Sequence, residues 1–329
     1  MPDAALAPTW FLPLSERPTL VLGATGSFGG ALALELASRG KSVRALVRDP
    51  VKARRRLPPA VEIVVGDALD ATALERAARG AGVLAHGVNY PYHLWDPAMI
   101  RVSDNVIRAA REAGAQIVFP GNVYALGRAG RRAFTETAPF RPTTRKGALR
   151  AGLEQRLRGA AAGGTPVLVV RAGDYFGPSV RNGLVDRIFA NALAGKPMQV
   201  FGRLDIAHQW AYVPDLARLT ADLLARADSL APFEVVHFAG RVVARARDFY
   251  ACVAEEAGRP DLTVRVVAWW KLRLAGLIDR QARELLELRY LFDTAVILDD
   301  PRRRALLPDF VATPLGPAIA ATLASYREL

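Results

Sequence analysis

The residues best arranged for chemistry lie in the run Gly23-Ala24-Thr25-Gly26-Ser27-Phe28-Gly29. A loop of this kind can cradle a pyrophosphate. Gly23 permits a tight turn, Gly26 lets the backbone approach the phosphates, and Gly29 lets the next helix pack against the preceding strand. The helix N-terminus then offers unbonded N–H groups and a partial positive charge. Thr25, Ser27 and Phe28 complete the loop and are counted with the three glycines as dinucleotide contacts. About 20 residues further on, where such a site meets the adenosine ribose, stands Arg48. An acidic residue there would bond the 2′-hydroxyl of NAD, whereas the planar fork of arginine pairs with the 2′-phosphate of NADP. Asp49 follows directly and would favour NAD if it turned inward. The expected cofactor is NADP, with NAD as the alternative.

Gly66-Asp67-Ala68 supplies the next candidates. Asp67 can accept a bond from the adenine amino group while the Ala68 N–H meets a ring nitrogen; Asp67 can instead cap a helix starting near Ala71. The adenine role is preferred. His86, Gly87 and Ala172 stand at strand ends on the same side and are counted among the cofactor-lining residues, although His86, like His93, His208 and His237, also reads as structural. The four histidines lack the spacing of metal ligands, so no metal is expected. Cys252, the single cysteine, reads as a small buried hydrophobe and offers no disulfide, which fits a reducing cytoplasm.

These residues need elements to position them. Near-continuous apolar runs at Thr19–Gly23, Ser42–Val47, Val61–Val65, Val83–His86, Gln116–Phe119 and Pro166–Arg171 predict strands covered on both faces. Helical patterns at Phe28–Arg39, Ala71–Arg79, Pro97–Ala113 and Thr144–Ala162 separate them, and Gly40, Gly80 and Gly114 fall at their ends. The alternation predicts an α/β, Rossmann-type doubly wound parallel sheet with a smaller C-terminal substrate domain. Val235–Ala239 reads as a late strand returning to the sheet edge. Expected boundaries are an irregular extension over 1–17, a dinucleotide-binding domain over 18–172 and about 209–240, and a substrate-covering domain over about 173–208 and 241–329. Trp269–Leu288 reads as one amphipathic helix with its apolar face in the core. Its Lys271, Arg273, Arg280 and Arg283 leave a membrane-surface reading open.

The chain of 329 residues is half apolar and carries a formal charge of +12. The clusters Arg54-Arg55-Arg56, Arg131-Arg132 and Arg302-Arg303-Arg304 are scattered and accompany no nucleic-acid-binding motif, so an anionic small molecule is the simpler partner. No apolar run is long enough to span a bilayer, and the first residues lack the pattern of a signal peptide. Neither nucleic acid nor membrane is expected as a partner, and the expected location is the cytoplasm.

With these residues in place, the chain resembles the extended branch of the short-chain dehydrogenase/reductase superfamily, the NAD-dependent epimerase/dehydratase family, with features of the atypical branch. The resemblance runs through the glycine loop, Val118-Phe119-Pro120-Gly121-Asn122-Val123-Tyr124, Arg171-Ala172-Gly173-Asp174-Tyr175-Phe176-Gly177-Pro178 and Tyr212-Val213-Pro214-Asp215. It implies chemistry on a Tyr-x-x-x-Lys motif, in which lysine holds the nicotinamide ribose and tyrosine exchanges a proton with a carbonyl. In Pro142-Thr143-Thr144-Arg145-Lys146 the resemblance places Lys146 at the lysine, as catalytic and cofactor-binding residue, but Pro142 at the tyrosine and Pro120 at the helper serine. Three readings follow. A relocated acid/base serves an NADP-linked oxidoreductase or epimerase/dehydratase, with Tyr124 the leading candidate and Asn122, Thr143, Thr144, Asp174 and Tyr175 nearby. Substrate or water supplies the proton. Or hydride transfer is lost and the chain is a dinucleotide sensor. The enzyme is preferred. By the same analogy its substrate would be a small molecule, anionic or nucleotide-sugar-like, and the chain a homodimer.

Overall fold

Leucine, valine and isoleucine dominate the short runs that become strands, and alanine, leucine and arginine the longer ones that become helices, as their propensities require. A computed structural model describes residues 16–128, 132–178, 180–181 and 183–327. Residues 1–15 of the expected N-terminal extension, and Arg131, lie outside the described residues. The first half alternates β1 (Thr19–Leu22), α1 (Ser27–Ser38), β2 (Val43–Val47), α2 (Pro50–Arg54), β3 (Val61–Val65), α3 (Ala71–Ala78), β4 (Val83–His86), α4 (Trp95–Ala113), β5 (Gln116–Asn122), α5 (Arg145–Ala162) and β6 (Val167–Ala172). Next come β7 (Asp174–Phe176), α6 (Leu184–Leu193), β8 (Met198–Val200), β9 (His208–Tyr212), α7 (Val213–Leu224), β10 (Phe233–Phe238) and β11 (Arg241–Val243). The last are α8 (Ala246–Glu256), β12 (Val264–Val266), α9 (Trp269–Ala275), α10 (Arg280–Leu286), α11 (Tyr290–Asp293), α12 (Pro301–Leu306) and α13 (Leu315–Arg327).

Seven strands pair in the order β3-β2-β1-β4-β5-β6-β10, all parallel. The fold is a Rossmann-type α/β sheet, and β10 is the expected late strand at its edge. Because side chains alternate along a strand, Val21 of β1 joins Phe28, Leu32 and Leu216 beneath α1 and α7. Leu20 and Leu22 instead face Leu74, Val102 and Leu153 of α3, α4 and α5 on the other side. Full burial of each such leucine is worth roughly 1.5–3 kcal/mol, so both faces reject a polar substitution. The expected helix stops hold. After α4, for example, Gly114 adopts a left-handed φ of 58° and donates its N–H to Ala110 and Arg111 carbonyls.

A second core gathers around Phe176, Phe189, Trp210 and Phe249, with Trp210 and Phe249 stacked at 4.0 Å. Here β7, β9 and β11 form a three-stranded sheet, and β8 pairs with β12. The segment 208–212 thus joins the smaller sheet, while α7 and β10 return to the larger one. Residues 298–313 cross back over both. Gln209 and Leu298 exchange two hydrogen bonds of 2.9 Å. The Thr313 N–H and hydroxyl donate to Asp215 at 2.6 and 2.8 Å.

The expected single helix over Trp269–Leu288 is instead two, α9 and α10. Arg283 Nε donates to the Gly276 carbonyl at 2.8 Å, and Asp279 caps α10 by accepting the Gln281 N–H. Leu272 and Leu288 are buried as expected, but Leu277 falls in the break and is exposed. Among the described residues, no helix is long and apolar enough to cross a membrane.

Candidate functional site

A cavity of about 830 Å³ opens at the carboxyl ends of β1, β2, β4, β5 and β6, where ligands bind in open parallel sheets. Gly23 turns there with φ +69°, and a Cβ on it would lie 2.4 Å from the Gly87 carbonyl oxygen. Behind the turn, a Cβ on Gly29 would lie 2.5 Å from the Gly23 carbonyl oxygen. Glycine is therefore demanded at both positions, once for the loop and once for helix packing. Gly26 is the N-cap of α1, and no side chain caps the helix. Its first N–H groups have no side-chain acceptor, and the first turn holds no acidic residue. An anion meets both requirements of that helix end.

Around this end the cavity is lined by Gly23, Thr25, Gly26, Ser27, Phe28, Arg48, Asp67, Ala68, Gly87 and Ala172. Asp49 does not turn inward but caps α2 by accepting the Lys52 N–H at 2.9 Å. Asp67 accepts the Leu69 N–H at 3.0 Å, while the cap of α3 is Asp70. Arg56 donates to the Thr25 carbonyl at 2.6 Å, bringing a second guanidinium to the glycine loop. His86 is not in the cavity wall. It is fully buried beneath it, with Nε2 2.9 Å from Ser103 Oγ and its ring edge-on to Phe119. Burial, then the charge of Arg150, pull its pKa down to about 3.

The middle of the cavity holds Tyr92, Trp95, Asn122, Tyr124, Arg150, Asp174 and Tyr175. The hydroxyls of Tyr92 and Tyr124 lie 3.0 Å apart. Burial raises the pKa of both above the ordinary phenol value, that of Tyr124 further, and pushes Tyr175 to about 12. Arg150, from α5, is buried over the Phe119 ring at 4.6 Å and donates to the Pro120 carbonyl; its Nε has no acceptor. His208 lies outside the wall and pairs with Asp174 at 2.9 Å, and Thr144 caps α5.

Lys146 does not line this cavity. It is buried, and its Nζ reaches Glu284 and, at 2.6 Å, Glu287 of the α10 region. Lys146 and Arg150, one turn apart, share a face of α5, so the difference is axial. At the first turn Lys146 meets Glu284 and Glu287, with its Nζ 5.4 Å from the Tyr92 ring centre, and one turn later Arg150 reaches the cavity. Pro142 lies in the loop before α5. Tyr92 and Arg150 escaped the sequence reading, which named Arg56 only in a scattered arginine cluster. Tyr92 opens the short 3-10 turn Tyr92–Leu94 that leads into α4, and the only signal for Arg150 was its position one turn beyond Lys146.

The far end combines the apolar side chains Ile188, Val200, Phe201, Leu285, Leu288 and Phe292 with Arg181, Gln199 and Gln281. Trp269 stacks on Phe201 at 5.3 Å and holds α9 against this wall.

Comparison with known proteins places this architecture. Over 87 residues the chain is 32% identical to a dTDP-glucose 4,6-dehydratase of Salmonella typhimurium, but the match spans only 26% of this chain and 24% of that protein. It is 31% identical to a 3-diazoavenalumate denitrifying reductase of Streptomyces over 54% of this chain and 62% of the relative. In fold it is similar to the dTDP-glucose 4,6-dehydratase DesIV of Streptomyces venezuelae, solved with NAD and TYD bound. The TM-score is 0.76 at 20% identity, over 94% of this chain and 97% of that one. The model of the NAD dependent epimerase/dehydratase family matches residues 19–239, most of the chain. This chain belongs to the NAD dependent epimerase/dehydratase family.

Proposed function

We propose that the chain binds a nicotinamide dinucleotide, NADP in preference to NAD, and reduces a largely apolar carbonyl compound. The carrying observation is that one cavity joins an uncapped, glycine-turned helix end to a pair of neutral tyrosine hydroxyls. Solved relatives hold NAD at this fold, and the pyrophosphate would meet the N–H groups of Gly26 and Ser27. Arg48 in the wall, Arg56 beside it and the diversion of Asp49 into capping support the 2′-phosphate of NADP.

In this reading Arg150, not Lys146, is the α5 cation at the nicotinamide end. Lys146 stands four residues before it, where the family motif has tyrosine. Tyr124 and Tyr92 then carry the proton. A phenol is protonated at neutral pH and can give its proton to a developing alkoxide. The bound nicotinamide supplies the hydride; Tyr124 supplies the proton, Tyr92 holds that hydroxyl in place, and Arg150 steadies the developing negative charge. The apolar residues of the far end support a hydrocarbon-rich ketone or aldehyde, with Arg181, Gln199 and Gln281 as the polar contacts there.

Lys146 clasped by two glutamates favours one second reading, a dinucleotide sensor without turnover. NADPH consumption with a panel of apolar ketones and aldehydes separates the two. Reduction by the wild-type chain and a loss of about 10²-fold or more in Tyr124→Phe, with NADPH binding kept, supports the enzyme. Tight NADPH binding with no carbonyl reduced supports the sensor.

A further inference from the structure

The α9–α10 hairpin has an inner and an outer side of opposite character. Inward, Trp269 stacks on Phe201, Leu272 is buried, and Gln281 and Leu285 line the cavity. Outward, Trp270 is 59% exposed, Leu274 57%, Leu277 73% and Ile278 93%. These four are neighbours along one helix and the turn that follows it, so the exposure forms one patch and not scattered single residues. Contiguous exposed apolar surface marks a contact with something else. Around it stand exposed Lys271, Arg273, Arg280 and Arg283, against the acids Asp279, which caps α10, and Glu284 and Glu287, which hold Lys146.

We infer that this hairpin docks on an anionic lipid surface, with Leu277 and Ile278 entering the acyl boundary and Trp270 at the headgroup level. The charge selects the partner. A patch with four cations around it repels a second copy of the same patch, and the chain as a whole carries +12. An anionic leaflet attracts juxtaposed Lys and Arg, and a basic rim around Trp, Leu and Ile is the pattern of an interfacial segment. Nucleic acid would use the cations but leaves Leu277 and Ile278 without a role. The inference does not depend on the reaction proposed above, because none of the four exposed residues lines the cavity.

The test uses the full chain and sedimentation with vesicles of phosphatidylcholine, alone or with roughly one-third phosphatidylglycerol. The chain should sediment with the anionic vesicles and not with phosphatidylcholine alone, release in high salt, and show a blue-shifted tryptophan emission that Trp270→Phe diminishes. Leu277→Asp/Ile278→Asp, at exposed positions, should weaken binding at least about tenfold while leaving Tm unchanged. Should that variant fold poorly, Lys271→Glu/Arg280→Glu should lower anionic-vesicle binding comparably. No sedimentation, equal binding by wild type and both variants, or equal binding to both vesicle types overturns the inference. So does a wild-type dimer in analytical ultracentrifugation that the Asp variant converts to monomer, which would make the patch a self-association face.

Discussion

Two phenols 3.0 Å apart, both raised in pKa by burial, share one hydrogen bond and leave one hydroxyl proton to offer. If Tyr124 offers it, Tyr92→Phe should cost less than Tyr124→Phe, about tenfold in kcat against about 10²-fold or more, with KM for NADPH unchanged in both. Equal losses would show that neither hydroxyl is singled out. At the other end of the cavity, Arg48→Ala should erase the preference for NADPH over NADH in a competition titration, and unchanged preference would remove Arg48 from the site. The glycine loop was readable because its demands are local: a positive φ at Gly23 and a carbonyl 2.5 Å from any Cβ on Gly29 are written within seven residues. Lys146 was not readable, because the carboxylates that hold it lie about 140 residues away.

Helix α5 shows how one face of one element divides its labour along the axis, turn by turn. Lys146 faces α10, Arg150 the cavity, and Glu154 the sheet, where it meets Arg171 of β6 at 2.7 Å with both side chains buried. Removing one partner of a buried pair strands the other charge. Glu154→Ala should therefore destabilise by about 3–5 kcal/mol, read as a lower urea midpoint, whereas Arg156→Ala on the exposed face should change it by less than about 0.5 kcal/mol. The break at residues 276–279 was hidden for a related reason. Apolar residues at Leu277, Leu285 and Leu288 fall on one side of an ideal helix, but Gly276 and Asp279 end one helix and begin another. The strands of the large sheet were legible, since near-continuous apolar runs between glycine-ended helices leave few alternatives.

Across the whole molecule, two buried histidines set an acid limit. His86 stays neutral to about pH 3 and His237 to about pH 4, in each case through burial first and a neighbouring arginine next. The unfolded chain would protonate both near 6.5. Stability is thus full above pH 6.5 and falls as the pH drops toward 4, because the unfolded state takes up the protons. At pH 5 the loss should be about 2 kcal/mol for each histidine. Urea midpoints at neutral pH and at pH 5 should differ accordingly, and His86→Gln should shrink the difference by about half.

Residues 298–313 bear on how such a chain can be recombined. They exchange bonds with Gln209 of the small sheet and Asp215 at the start of α7, and Arg302 pairs with Glu234 on the edge strand of the large sheet. A chimera that swaps in another relative's substrate-covering half at residue 173 would part this segment from its acceptors unless 209–240 came with it. The unit of exchange is the interleaved whole.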